Sequence, residues 1–225
     1  MVPAKVPSGK RKRVALGLLF VLALLSIGSV VTSHDYPSGS DDSDPGNATP
    51  ITQCTTITEP GRYVLAEDLG DGTGLSASCI TISSSHVTLD GADRTVGGGG
   101  VSDSTGILVS HPRSVTNVTV HSLTVTDWNR GIHVRNASDV SVRGVNASHN
   151  AEGIAFWNAS RSSVTDSIAE QNLFGVVVDD RSEGIEIERS RIEGNYAGDV
   201  ERWERSPRGT DDPRLRAPVE GGGRR

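Results

Sequence analysis

Lysine is nearly absent from this chain: the three it has, Lys5, Lys10 and Lys12, all precede residue 13. Sulfur is equally scarce. Met1 is the sole methionine and Cys54 and Cys79 are the sole cysteines. Soft copper sites need clustered Cys, Met or His, and here the histidines are scattered, so no metal is expected. Two thiolates would fill only half of a tetrahedral zinc shell. Residues 34–225 hold 28 acids and 17 arginines, a net charge of −11 (17 minus 28). A chain without a basic stripe is not built for nucleic acid. No stretch after residue 33 shows an apolar helix period of about 10 residues or more, which excludes a helical domain.

What the chain has instead is a repeat. Gly106-Ile107-Leu108-Val109, Gly131-Ile132-His133-Val134, Gly153-Ile154-Ala155-Phe156 and Gly175-Val176-Val177-Val178 recur at glycine spacings of 25, 22 and 22, and Gly198 follows after 23. A unit this short cannot bury its own apolar face and must stack on its neighbours. Two further runs of alternating apolar and polar residues follow each glycine, such as Asp139-Val140-Ser141-Val142 and Val145-Asn146-Ala147. That alternation is the period of a strand with one buried face. Three short strands per repeat predict an all-β, right-handed parallel β-helix of about five coils. A leucine-rich horseshoe would need Leu-x-x-Leu-x-Leu and a helical segment, and a propeller would need about 40 residues per repeat.

Asn150, Asn172 and Asn195 precede successive strand glycines, and stacked asparagine at a repeated corner predicts a ladder of amide hydrogen bonds. Extra residues near His111-Pro112-Arg113, at Asp90-Gly91-Ala92-Asp93 and near Asp179-Asp180 read as widened turns. Cys79-Ile80-Thr81-Ile82 matches the glycine-led strand, and Gly61–Leu65 reads as a strand covering the open end, where a bare edge would invite pairing with another chain. The β-helix is therefore assigned to residues 51–200, and residues 201–225, with almost no apolar content, to a disordered tail.

The chain opens with a basic flank and an uncharged, mostly apolar stretch from Val14 to Val31. Residues 1–33 thus read as a signal peptide or an N-terminal membrane anchor helix, and either exports the repeat body. Residues 34–50 read as a flexible linker. An even pair of cysteines in an oxidising compartment predicts the disulfide Cys54–Cys79. Asn47, Asn117, Asn136, Asn146 and Asn158 begin Asn-x-Ser/Thr sequons, so they are candidate glycan acceptors, although Asn-Ala-Ser is also good turn chemistry. An acidic, lysine-free exterior stays hydrated in concentrated salt and suggests a haloarchaeal host.

Cys54-Thr55-Thr56-Ile57, Pro60-Gly61-Arg62-Tyr63-Val64-Leu65, Cys79-Ile80-Thr81-Ile82 and Val87-Thr88-Leu89-Asp90-Gly91 together resemble the opening of haloarchaeal right-handed β-helix repeat proteins of the NosD-like group. That group is related to carbohydrate-binding and sugar-hydrolase repeat domains. The resemblance implies an exported, extracytoplasmic module. Its NosD branch implies copper delivery, against which the ligand scarcity stands. Polysaccharide lyases and hydrolases share the architecture, and hydrolases need two carboxylic acids straddling the bond. Asp179 and Asp180 are the candidates, with Arg135 and Trp157 following equivalent strands on the same rim. The polygalacturonase motifs are not present as a set.

A second candidate surface is the third position of the glycine-led strand: Leu108, His133, Ala155 and Val177 should face outward yet are mostly apolar. Trp128, Phe174 and Tyr196, just before successive glycines and alongside Arg130, edge that face. The expected function is a cell-surface module that binds carbohydrate or an envelope component through Arg135, Trp157 and His133 without catalysis or cofactor. The alternatives are a lyase or hydrolase acting on acidic polysaccharide, and a copper-delivery accessory.

Overall fold

The computed structural model describes residues 48–70, 78–100 and 102–203. The chain divides into two units, Met1–Ser43 and Asp44–Arg225, and every described residue belongs to the second. The expected N-terminal helix, Asn47 and most of the linker and tail lie outside the described residues. Among the described residues no helix is long and apolar enough to cross a membrane.

Those residues form β1 (Thr49–Ile51), β2 (Thr55–Ile57), β3 (Gly61–Leu65), β4 (Ser78–Ile82), β5 (Val87–Gly97), β6 (Thr105–Thr126), β7 (Arg130–Ser148), β8 (Glu152–Thr165), β9 (Ile168–Glu170), β10 (Phe174–Asp179), β11 (Glu183–Glu188), β12 (Arg191–Ile192) and β13 (Gly198–Trp203). Their pairings are parallel, each strand lying on its counterpart one coil away. The result is a β-solenoid of about six turns, the β1–β3 segment extending the coils read from the glycine ladder. The long strands β6, β7 and β8 bend around corners, so one strand serves two or three faces.

Inward residues stack in columns. On the glycine-led face Ile57, Ile82, Val109, Val134, Phe156 and Val178 lie rung on rung, and Ile80, Ile107, Ile132, Ile154 and Val176 run beside them. All are essentially sealed from solvent. Burying each such side chain contributes roughly 2 kcal/mol, so the columns are the main favourable term in folding. The widened turns fall where the sequence put them: the register shifts between Asp90 and Arg94 and between Ser110 and Val115.

The corners are polar and specific. The Asn150 amide donates to the backbone carbonyl of Val125 and to Asn172 Oδ1, while Asn172 donates to Ala147 O and Asn195 Oδ1. The column ends at Asp199, whose Oδ1 accepts from the backbone N–H and the side-chain amide of Asn195. At its other end Trp128 occupies the asparagine position. Its backbone N–H donates to Asn150 Oδ1, and its indole N–H donates to Val96 O, the bond an asparagine amide makes one coil on. Trp128 is thus buried in the corner and does not edge an outer surface. The strand glycines are explained by the same column: a Cβ on Gly153 would lie 2.6 Å from Gly175 O and 2.9 Å from Asn172 Nδ2.

A second corner uses left-handed backbone at Asn136 (φ 50°) and Asn158 (φ 52°), a conformation asparagine tolerates. The disulfide Cys54–Cys79 ties β2 to β4 immediately beside the rung Thr55–Ile80.

Candidate functional site

Three outward columns run along the glycine-led face. The first is Arg130, Glu152, Phe174; the second Leu108, His133, Ala155, Val177; the third Ser110, Arg135, Trp157, with Asp179 and Trp203 continuing it. The second column is not the open apolar stripe expected from the sequence. His133 is 5% exposed and Ala155 and Val177 are fully buried, with Leu108 half-buried. The reason lies in contacts between the first and third columns, which must pass over the second. The Arg130 guanidinium sits 4.7 Å from the Trp157 ring centroid, and Phe174 meets Trp203 edge-to-face at 5.4 Å. His133 meets Trp157 edge-on at 4.8 Å. The stripe is therefore the floor beneath a layer of large side chains. Of the aromatic residues expected to edge it, Tyr196 stands free in solvent at 82% exposure.

That layer has unusual electrostatics. Burial, with Arg130 and Arg135 adding to it, pushes the His133 imidazole down to about 3, so the ring is neutral. Burial also raises the Glu152 carboxyl, outweighing the opposing pull of Arg130. Arg130 Nε and Glu152 Oε2 are 3.3 Å apart without hydrogen-bond alignment.

The third column opens into a groove of about 430 Å³ lined by Arg135, Asn136, Trp157, Asn158, Asp179, Asp180, Arg181 and Trp203. The four rim residues named from the sequence, Arg135, Trp157, Asp179 and Asp180, thus meet in one open groove, while His133 lies below its wall. Asp179 is structurally engaged: its Oδ1 accepts the Asn158 backbone N–H at 2.8 Å and the Ser182 hydroxyl at 2.6 Å, closing the turn. Arg135 and Arg181 have no carboxylate partner among the described residues. Arg161, in contrast, grips Asp139 with two bonds of 2.9 Å, and with Thr116 and Ser138 holds that carboxyl well below the usual range.

A second depression, of about 470 Å³, adjoins the first across Asn136 and Asn158, which line both. The Asn158 amide donates to Asn136 Oδ1 at 2.9 Å, so these two sequon residues form a short ladder of their own. Asn117 Nδ2 lies 2.8 Å from His86 Nδ1, and Asn146 is half-buried on an outward position of β7. His111 accepts a backbone N–H from Arg113 and is not level with His133, which pairs with Leu108. No group of three or more His, Cys, Asp or Glu side chains gathers among the described residues.

Sequence reasoning missed Trp203 and Arg181 as groove residues and Glu152 in the layer behind Trp157, whereas Arg130, expected beside the aromatic edge of the outward face, does belong to that layer. Trp203 stands past residue 200, where the repeat was expected to end, on a strand with weak apolar alternation. The register to this last strand is 24 residues, from Val178 to Arg202, against 22 between the preceding coils, so Gly198 falls opposite Phe174 and the glycine spacing did not point to Trp203.

Fold and groove define a parallel β-solenoid with a lined surface trough. Residues 70–206 match the model of the right-handed β-helix region family, and the chain belongs to that family. No curated protein and no solved structure matches it.

Proposed function

We propose that this chain is an exported β-helix module that binds carbohydrate in the Trp157 groove without turning it over. The carrying observation is an indole fixed in place at an open groove: Arg130 lies over one part of Trp157 and His133 against its edge, while Arg135 stands on the adjacent rung. A rigid aromatic plate beside a guanidinium stacks a sugar ring and bonds its oxygens, with little side-chain entropy left to lose. The disulfide fits an oxidising compartment, and the resemblance to haloarchaeal NosD-like proteins supports a place outside the cytoplasm, tethered or secreted. Against catalysis, Asp179 already serves the turn through two hydrogen bonds.

A glycan array on the purified 225-residue chain tests the reading, paired with a product assay on acidic polysaccharides. Binding that falls about tenfold in Trp157→Ala is the expected result. Binding that persists unchanged sinks the platform. Product formed by the parent chain and lost in the Asp179→Asn, Asp180→Asn double variant supports the lyase or hydrolase alternative.

A further inference from the structure

The third outward column places two indoles on alternate rungs: Trp157 on β8, Asp179 on β10, and Trp203 on β13, paired with Asp179. Rungs of a parallel stack lie roughly 4.8 Å apart, so the two indoles are rooted about 10 Å apart along the solenoid axis. One rung is close to the rise of one pyranose in an extended 1,4-linked chain. Both indoles are braced from the first column, Trp157 by Arg130 and Trp203 by Phe174, and both line the same groove. Charge adds a second constraint. Asp179 is bonded within its turn and Asp180 is also engaged, and Arg135 and Arg181 place two guanidinium groups along the groove.

We propose that the groove reads an extended acidic oligosaccharide lengthwise, parallel to the solenoid axis. Sugars i and i+2 stack on Trp157 and Trp203, the sugar between them passes over Asp179, and carboxylates of the ligand meet Arg135 and Arg181. The shortest ligand that engages both indoles is a trisaccharide. This deepens the carbohydrate reading and rests on it.

The test is calorimetric titration of the full chain with oligouronates of two to six residues and with their neutral methyl esters. Affinity is expected to rise about tenfold from dimer to trimer, the contribution of one added ring contact. Trp203→Ala should abolish that rise while leaving dimer affinity in place, and Trp203→Phe should restore most of it, which separates loss of the plate from loss of the strand. The esters should bind about tenfold more weakly than the acids. A flat length profile that still depends on Trp157 overturns the lengthwise reading and leaves the carbohydrate reading standing. Equal binding of acids and esters overturns the acidic preference. An absence of binding to any oligomer here or on the array overturns both readings.

Discussion

His133 shows how a single side chain can carry a pH dependence in a molecule otherwise built from backbone pairing. It lies under Trp157, and burial with two arginines nearby depresses its imidazole from 6.5 to about 3. Between those values the unfolded chain takes up a proton that the folded chain refuses, so stability is fully present above about pH 6.5 and declines as the pH falls toward 3. His133→Phe keeps an edge contact on the indole and removes the proton. The variant should lose the downward slope of urea-unfolding stability across that window, and a slope unchanged from the parent would assign it elsewhere. From the sequence His133 read as an exposed ligand candidate. Alternation correctly sends it outward, but says nothing of a neighbouring column folding over it. Trp128 misled for a related reason: its place 22 residues before Asn150 was readable, whereas an indole doing the work of an amide was not.

At the scale of the element, the corner columns hold neighbouring strands in register, since a slip would part every amide from its partner. Asn172 is fully buried, accepts from both the backbone and side chain of Asn150, and donates to Ala147 O and Asn195. Asn172→Ala leaves several of these groups buried and unpaired, at a cost of about 3 kcal/mol. Chemical denaturation checks this, and a loss comparable to a surface substitution would mean that the column is ornamental to stability. This ladder was legible in the sequence because three asparagines kept the coil interval. The groove was legible in part, because Arg135, Trp157 and Asp179 keep equivalent positions after their glycines. Trp203 was not, since Arg202-Trp203 carries no alternating pattern and its strand is defined by pairing with β10.

At the scale of the molecule, the described residues form a stack in which each coil leans on the next, so the ends of the stack are its weak points. The Cys54–Cys79 bond closes a 25-residue loop at the N-terminal end. In the chain-entropy model such a closure contributes about 3 kcal/mol. Cys54→Ser with Cys79→Ser should lower the unfolding free energy by that amount, and reductant should do the same to the parent chain but leave the variant unaffected. Thermal unfolding with and without reductant makes the comparison; a parent indifferent to reductant would deny the bond its role.

The asparagine column also has a direction. Every link points its N–H toward the C-terminal end, from Trp128 through Asn150 and Asn172 to Asn195. Aligned links add their dipoles, and Asp199 places a carboxylate at the electropositive terminus, the arrangement that favours acids at helix N-termini. A carboxylate accepts but has no N–H to pass on. The row therefore has punctuation: an indole opens it, amides continue it, and an acid four residues past the last amide closes it. Carrying the row onto a further coil would mean giving Asn195 a corner asparagine one coil interval on in place of Asp199, because an amide accepts and also donates. Stacking itself does not depend on the row, since the coils of β2 to β5 pair beyond Trp128 without it.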